Sequence, residues 1–157
     1  MMKKSIALIL AGTLLLLSAC GAPAGTDDIK IDMEALANKL LESKLFGETL
    51  NKADDGIAEL LYDIDGASAS LVYIGSGAAA DELALFEFAN ESEAQSAISS
   101  AEARIAAQRD SFAAYIPEEV PKLDQAVMET YGRYLIVCVS DGDGADEIIS
   151  DYFVQEG

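Results

Sequence analysis

The chain has 157 residues, with 28 acidic side chains against 10 lysines and arginines and a formal charge of −18. So acidic a composition excludes a nucleic-acid binder and an electrostatic grip on anionic lipid, both of which need basic patches. Histidine and tryptophan are absent, which removes the commonest general base and every Ser-His or Cys-His catalytic arrangement.

Met1-Met2-Lys3-Lys4 is a short basic start, and Ile6 to Leu17 is an apolar run. This layout predicts a secretory signal peptide over residues 1–19. The run is too short to span a bilayer, which takes roughly 20 residues. Its ending, Leu17-Ser18-Ala19-Cys20, resembles the bacterial lipobox. The resemblance implies a diacylglyceryl group on the Cys20 thiol and cleavage between Ala19 and Cys20. Two acyl chains give stable anchoring, at about 0.8 kcal/mol per buried methylene.

Residues 20–28 then read as a lipidated tether, because Gly21-Ala22-Pro23-Ala24-Gly25-Thr26 is small and flexible. Residues 21–28 stretch to roughly 25 Å at most. The domain is expected on the extracytoplasmic face of the cell membrane, close to the bilayer. Loss of residues 1–19 leaves 138 residues, enough for one domain over 29–157. It also leaves eight basic and 28 acidic side chains, a charge of −20. Such a charge reads first as a self-repelling soluble surface, and second as a face for a basic partner. Cys138 is then the one cysteine besides Cys20, so an acylated Cys20 leaves no intrachain disulfide.

Asp32 is a good N-cap, and Met33, Leu36, Ala37, Leu40, Leu41 and Leu45 follow at helical spacing. Residues 48–56 are polar and close on the turn Asp54-Asp55-Gly56. Ile57, Leu60 and Leu61 suggest one more helical turn, stopped by Asp63-Ile64-Asp65-Gly66. Ser70 to Ile74 and Leu83 to Phe88 read as a hairpin with a longer loop over Gly75-Ser76-Gly77. Asn90 with Glu93 opens a long helix that Pro117 ends. Its apolar positions are Ala94, Ala97, Ile98, Ala101, Ile105, Phe112 and Tyr115.

Pro117 to Leu123 reads as a short helical turn. Val127 to Tyr131 and Tyr134 to Val139 form a second hairpin around Gly132-Arg133. The last helix carries Ala145, Ile148, Ile149, Tyr152 and Phe153 on one face. The expectation is an α+β domain: an N-terminal helix, then two ββα units. Their four-stranded, mostly antiparallel sheet carries the long helix.

The succession of Tyr62-Asp63-Ile64-Asp65, Ala80 to Phe86, the helix with Arg104 and Arg109 leading to Phe112-Ala113-Ala114-Tyr115-Ile116-Pro117-Glu118-Glu119, and Tyr131 to Ile136 resembles a known family. It is the bacterial lipoprotein family called domain of unknown function 4358. The resemblance implies a single domain in the cell envelope and supplies no catalytic residue.

The candidate sites each have a plain structural reading. Asp141-Gly142-Asp143-Gly144-Ala145-Asp146 looks like a calcium loop, but counting from Asp141 puts Ala145 at position 5, Asp146 at 6 and Tyr152 at 12. A turn and helix cap is expected there, with no metal. Asp54, Asp55, Asp63 and Asp65 are candidate acid–base carboxylates for glycan hydrolysis, or turn residues. Gly75-Ser76-Gly77 lacks the spacing of a nucleophile elbow. Arg104 and Arg109 suggest ion pairs rather than ligand capture. Tyr62, Tyr73, Tyr115, Tyr131 and Tyr134 read as sheet-rim or binding-surface residues. Cys138, within Leu135 to Val139, reads as a small buried hydrophobe. No catalytic residue and no cofactor follow. Two readings remain. One is a non-catalytic envelope module that binds a partner protein, wall-proximal material or a small ligand. The other is a carboxylate-dependent hydrolase of cell-wall or other glycans.

Overall fold

The computed structural model describes residues 29–156. The expected signal peptide, the lipobox from Leu17 to Cys20 and the tether lie outside the described residues. No helix among the described residues is long and apolar enough to cross a membrane.

The described residues form an α+β domain around a five-stranded sheet. Strands β1 (Asn51–Lys52), β2 (Ala69–Ile74), β3 (Glu82–Glu87), β4 (Val127–Tyr131) and β5 (Tyr134–Val139) lie in the order β1-β2-β3-β5-β4. Every neighbouring pair is antiparallel. The expected four strands are therefore corrected to five. The added strand is β1, two exposed residues paired with Tyr73 and Ile74 at the sheet edge.

Two hairpins build the sheet centre. β4 and β5 turn through Gly132-Arg133, with Gly132 at φ 53°, a left-handed value that glycine adopts cheaply. β3 and β5 then pair from Glu82–Val139 to Glu87–Tyr134.

Helices cover both faces, where sequence periodicity placed the long helix on one. Period-two alternation divides the strands. Val72, Ala84, Phe86, Leu135, Val137 and Val139 pack against α2 (Asp55–Tyr62), α3 (Glu91–Tyr115) and α4 (Val120–Asp124). Leu71, Leu83, Leu85, Tyr134, Ile136 and Cys138 pack against α1 (Met33–Glu42) and α5 (Ala145–Glu156).

Local signals explain the helix ends. Asp32 caps α1, its Oδ1 accepting from the Ala35 N–H at 3.0 Å. The helix stops at Glu42, short of the expected reach to Leu45, and Lys44 turns left-handed at φ 63°. Asn90 caps α3 by accepting from the Glu93 N–H at 3.0 Å, and the Glu93 carboxylate accepts from the Ala89 N–H at 3.3 Å. Ala94, Ala97 and Ala101 let α3 lie close to the sheet. Pro117 starts a 3₁₀ turn, Pro117–Glu119, that leads into α4.

Candidate functional site

A charged side chain belongs in the interior only when its partners replace water. Glu82 is 1% exposed and opens β3. Its parity with Ala84 and Phe86 sends it under α3. Arg104 reaches it from α3, with Nη2 at 2.7 Å from Oε2 and Nε at 3.3 Å from Oε1. Gln108, one helical turn on, donates through Nε2 to Oε2 at 2.9 Å. Tyr62, the last residue of α2, donates its hydroxyl to Oε1 at 2.6 Å. Four donors thus occupy the two carboxylate oxygens.

Burial and the neighbouring Glu82 charge push the Tyr62 hydroxyl well above its usual range, so it stays a donor. Burial opposes the charge on Arg104, but its hydrogen bonds and attraction to Glu82 outweigh that and raise it. Phe86 holds the Tyr62 ring edge-on at 5.0 Å.

Beside this assembly lies an open cleft of about 350 Å³ between α2 and α3. Ile57 and Leu61 of α2, Ile74 of β2 and Phe112 and Tyr115 of α3 form its apolar walls, and Glu82, Arg104 and Gln108 form its floor. Phe112 and Tyr115 stack at 5.4 Å. Tyr115 is 60% exposed at the mouth, not on the buried helix face where the periodicity put it. Gln108 Oε1 and, on Asp81, which also lines the cleft, Oδ1 are buried with no hydrogen-bond partner.

A second charged assembly closes the same end of the sheet. Lys122 Nζ on α4 meets Glu119 at 2.8 Å, Asp141 at 3.0 Å and Asp81 at 3.2 Å. The Gly47 N–H donates to Asp81 Oδ2 and the Ala80 N–H to Glu119 Oε2. A Cβ on Gly47 would meet the Asp141 carboxylate, so a larger residue there would make that side chain shift. Burial raises the Asp81 carboxyl against the pull of Lys122. Burial also works against the ammonium of Lys122, yet Glu119, Asp141 and Asp81 together raise it. Three carboxylates converge here on an ammonium, which holds the centre of the cluster.

The sequence candidates scatter. Asp63 and Asp65 line a separate pocket of about 500 Å³ with Glu59 and Leu60. Asp63 takes a left-handed cap at φ 48°. Asp54 is exposed ahead of α2 and does not line the Asp63–Asp65 pocket, and Asp55 is the first residue of that helix. Asp141 joins Lys122. Arg104 and Arg109 both form ion pairs, the latter with Asp124 at 2.9 Å. Tyr131 stacks on Phe153 at 4.3 Å. Cys138 is a buried free thiol, pushed up to about 12 chiefly by that burial.

Sequence reasoning missed Asp81, Glu82, Gln108 and Lys122. The signal was available: two acids head an apolar strand, and Arg104 and Gln108 sit four apart on a helix.

The family described as Domain of unknown function (DUF4358) matches residues 46–140. The chain belongs to that family. Every residue of the Glu82 and Lys122 assemblies except Asp141 falls within the matched stretch, and the helices α1 and α5 fall outside it. The family therefore coincides with the sheet and its α2–α3–α4 layer. No curated protein and no solved structure matches the chain.

Proposed function

We propose that this family member is a lipid-anchored protein of the extracytoplasmic membrane face, and that its domain is a non-catalytic binding module. The anchor reading rests on Lys3-Lys4, the apolar run and Leu17-Ser18-Ala19-Cys20. The module reading rests on one observation. The α2–α3 cleft has apolar walls, and both buried carboxylates of its lining are engaged, Glu82 by four donors and Asp81 by Lys122 and the Gly47 N–H. Such a cleft orients a guest through a few placed polar groups. A general acid or base needs a proton site open to substrate.

Mass spectrometry of membrane-purified protein tests the anchor. A diacylglyceryl group on Cys20 is expected, with release or mis-sorting of Cys20→Ala. A free Cys20 thiol on a mature chain refutes it.

A second reading, a glycan hydrolase, draws on the pocket that Asp63 and Asp65 share with Glu59. Turnover of cell-wall oligosaccharides that Asp63→Asn or Asp65→Asn abolishes, with the fold intact, would establish it over the binding module.

A further inference from the structure

We propose that the α2–α3 cleft binds an uncharged amide group carried on a compact apolar body, the chemistry of a peptide bond beside a large apolar side chain. The inference rests on the binding-module reading and names its ligand class.

The walls select the body. Ile57, Leu61, Ile74 and Phe112 enclose about 350 Å³, room for one aromatic or branched aliphatic group. Tyr115 and Ile57, both partly exposed, extend that apolar surface to the mouth.

The floor selects the head. Glu82 accepts four hydrogen bonds, which uses the acceptor capacity of a carboxylate. It has nothing left for a ligand's donor. Gln108 does. Its Nε2 is fixed on Glu82, which defines the other end of the amide as the oxygen, and that oxygen is buried and unpartnered. An orphaned buried acceptor is costly, and a guest N–H or O–H relieves the cost. Arg104 uses Nε and Nη2 on Glu82, while a guanidinium carries five N–H donors. Its remaining donors call for an acceptor on the guest. A donor and an acceptor on adjoining atoms make an amide.

Charge decides against the ionic alternatives. Arg104 and Glu82 already neutralise one another at 2.7 Å, and Asp81, the other carboxylate of the lining, is paired with Lys122 at 3.2 Å. A carboxylate head would enter a cleft of balanced charge in a chain of formal charge −18. An ammonium head would satisfy Gln108 but sit beside the Arg104 guanidinium. Each would lose hydration without a free counter-charge to replace it, because the charged groups of the lining are already paired; a neutral head avoids that loss.

Three probes with one body and different heads test this: 4-phenylbutanamide, 4-phenylbutanoate and 4-phenylbutylammonium. Each is titrated into the full chain in zwitterionic nanodiscs and followed by protein-observed NMR, with empty nanodiscs correcting for partition. The amide is expected to shift the signals of Ile57, Leu61, Ile74 and Gln108 along one saturable curve. Its dissociation constant should be about 1 mM, with binding about tenfold tighter than for either ion. Ala107→Trp fills the cleft from an exposed helix position and should abolish these shifts with the other signals unchanged. Equal or tighter binding of an ionic probe at the same residues overturns the amide assignment and leaves the cleft a binding site. Absence of any saturable shift, or shifts that persist in Ala107→Trp, also overturns it.

Discussion

The two faces of the sheet are built to different rules. Under α1 and α5 the contacts are apolar and aromatic: Leu36, Leu40, Leu83, Ile136 and Ile149 are fully buried, Tyr131 stacks on Phe153, and Tyr134 meets the same ring at a tilt. Under α2 and α3 the same sheet accepts a charged pair, a buried phenol and an amide, with a cleft beside them. Packing alone gives no reason for that choice, since well-packed apolar residues in place of a buried ion pair often leave a fold as stable or more so. The face that holds the charged assembly is the face the family match covers, whereas the helices of the other face lie outside it. On the proposed reading, one side serves chiefly to hold the sheet and the other presents placed polar groups to a guest.

The comparison is broken most sharply at Arg104. Arg104→Met leaves Glu82 buried without its counter-charge and should cost about 3–5 kcal/mol, read by denaturant unfolding. Adding Glu82→Leu and Tyr62→Phe should return most of that loss. A triple variant as unstable as the single one would show that the assembly holds the fold rather than serving a guest. On the opposite face, Leu40→Ala should cost about 3 kcal/mol by cavity formation and leave cleft binding intact. Loss of binding there would join two faces that we describe as separate.

Acid probes the Lys122 assembly. Glu119 lies below its usual 4.5: burial raises it, but bonds to Lys122 and the Ala80 N–H prevail. Its stabilisation is therefore complete above that pH and lost as pH falls through the folded value. Asp81 has the opposite sign. Burial lifts it above 3.8, so the folded state takes up its proton first and gains stability as pH falls through that raised value. Asp81→Asn removes the gain. Melting temperatures between pH 7 and pH 3 should then fall more steeply in the variant than in the parent. The smallest effect is expected at Cys138, where Cys138→Val changes a buried thiol for a group of similar size at a cost of about 1 kcal/mol. Rapid labelling of the native thiol would contradict its burial.

The sequence exposed the periodic parts of the fold and concealed the rest for physical reasons. Asn90 and Glu93, the alanines of α3 and the Gly132-Arg133 turn carry local signals, and the corresponding elements stand where those signals point. Asn51–Lys52 carries none: two polar residues become a strand only because β2 lies beside them. Two-sided helical cover depends on chain crossings that no local period encodes. The site was hidden for a related reason. Asp81 and Glu82 read as the polar margin of a strand, and only the approach of α3 and α4 encloses them. Asp63 and Asp65, two of the four acids the sequence offered as candidates, do share a pocket, yet they lie apart from the Glu82 assembly.

Site-specific photocrosslinking in intact membranes tests the division between the faces most directly. A photoreactive residue is placed at Ile57 or Tyr115, at the cleft mouth, or at Val154, 81% exposed on α5. The account predicts a discrete adduct from positions 57 and 115 that Ala107→Trp suppresses, and none from position 154. Equal adducts from all three positions, or an adduct from 154 alone, would contradict it.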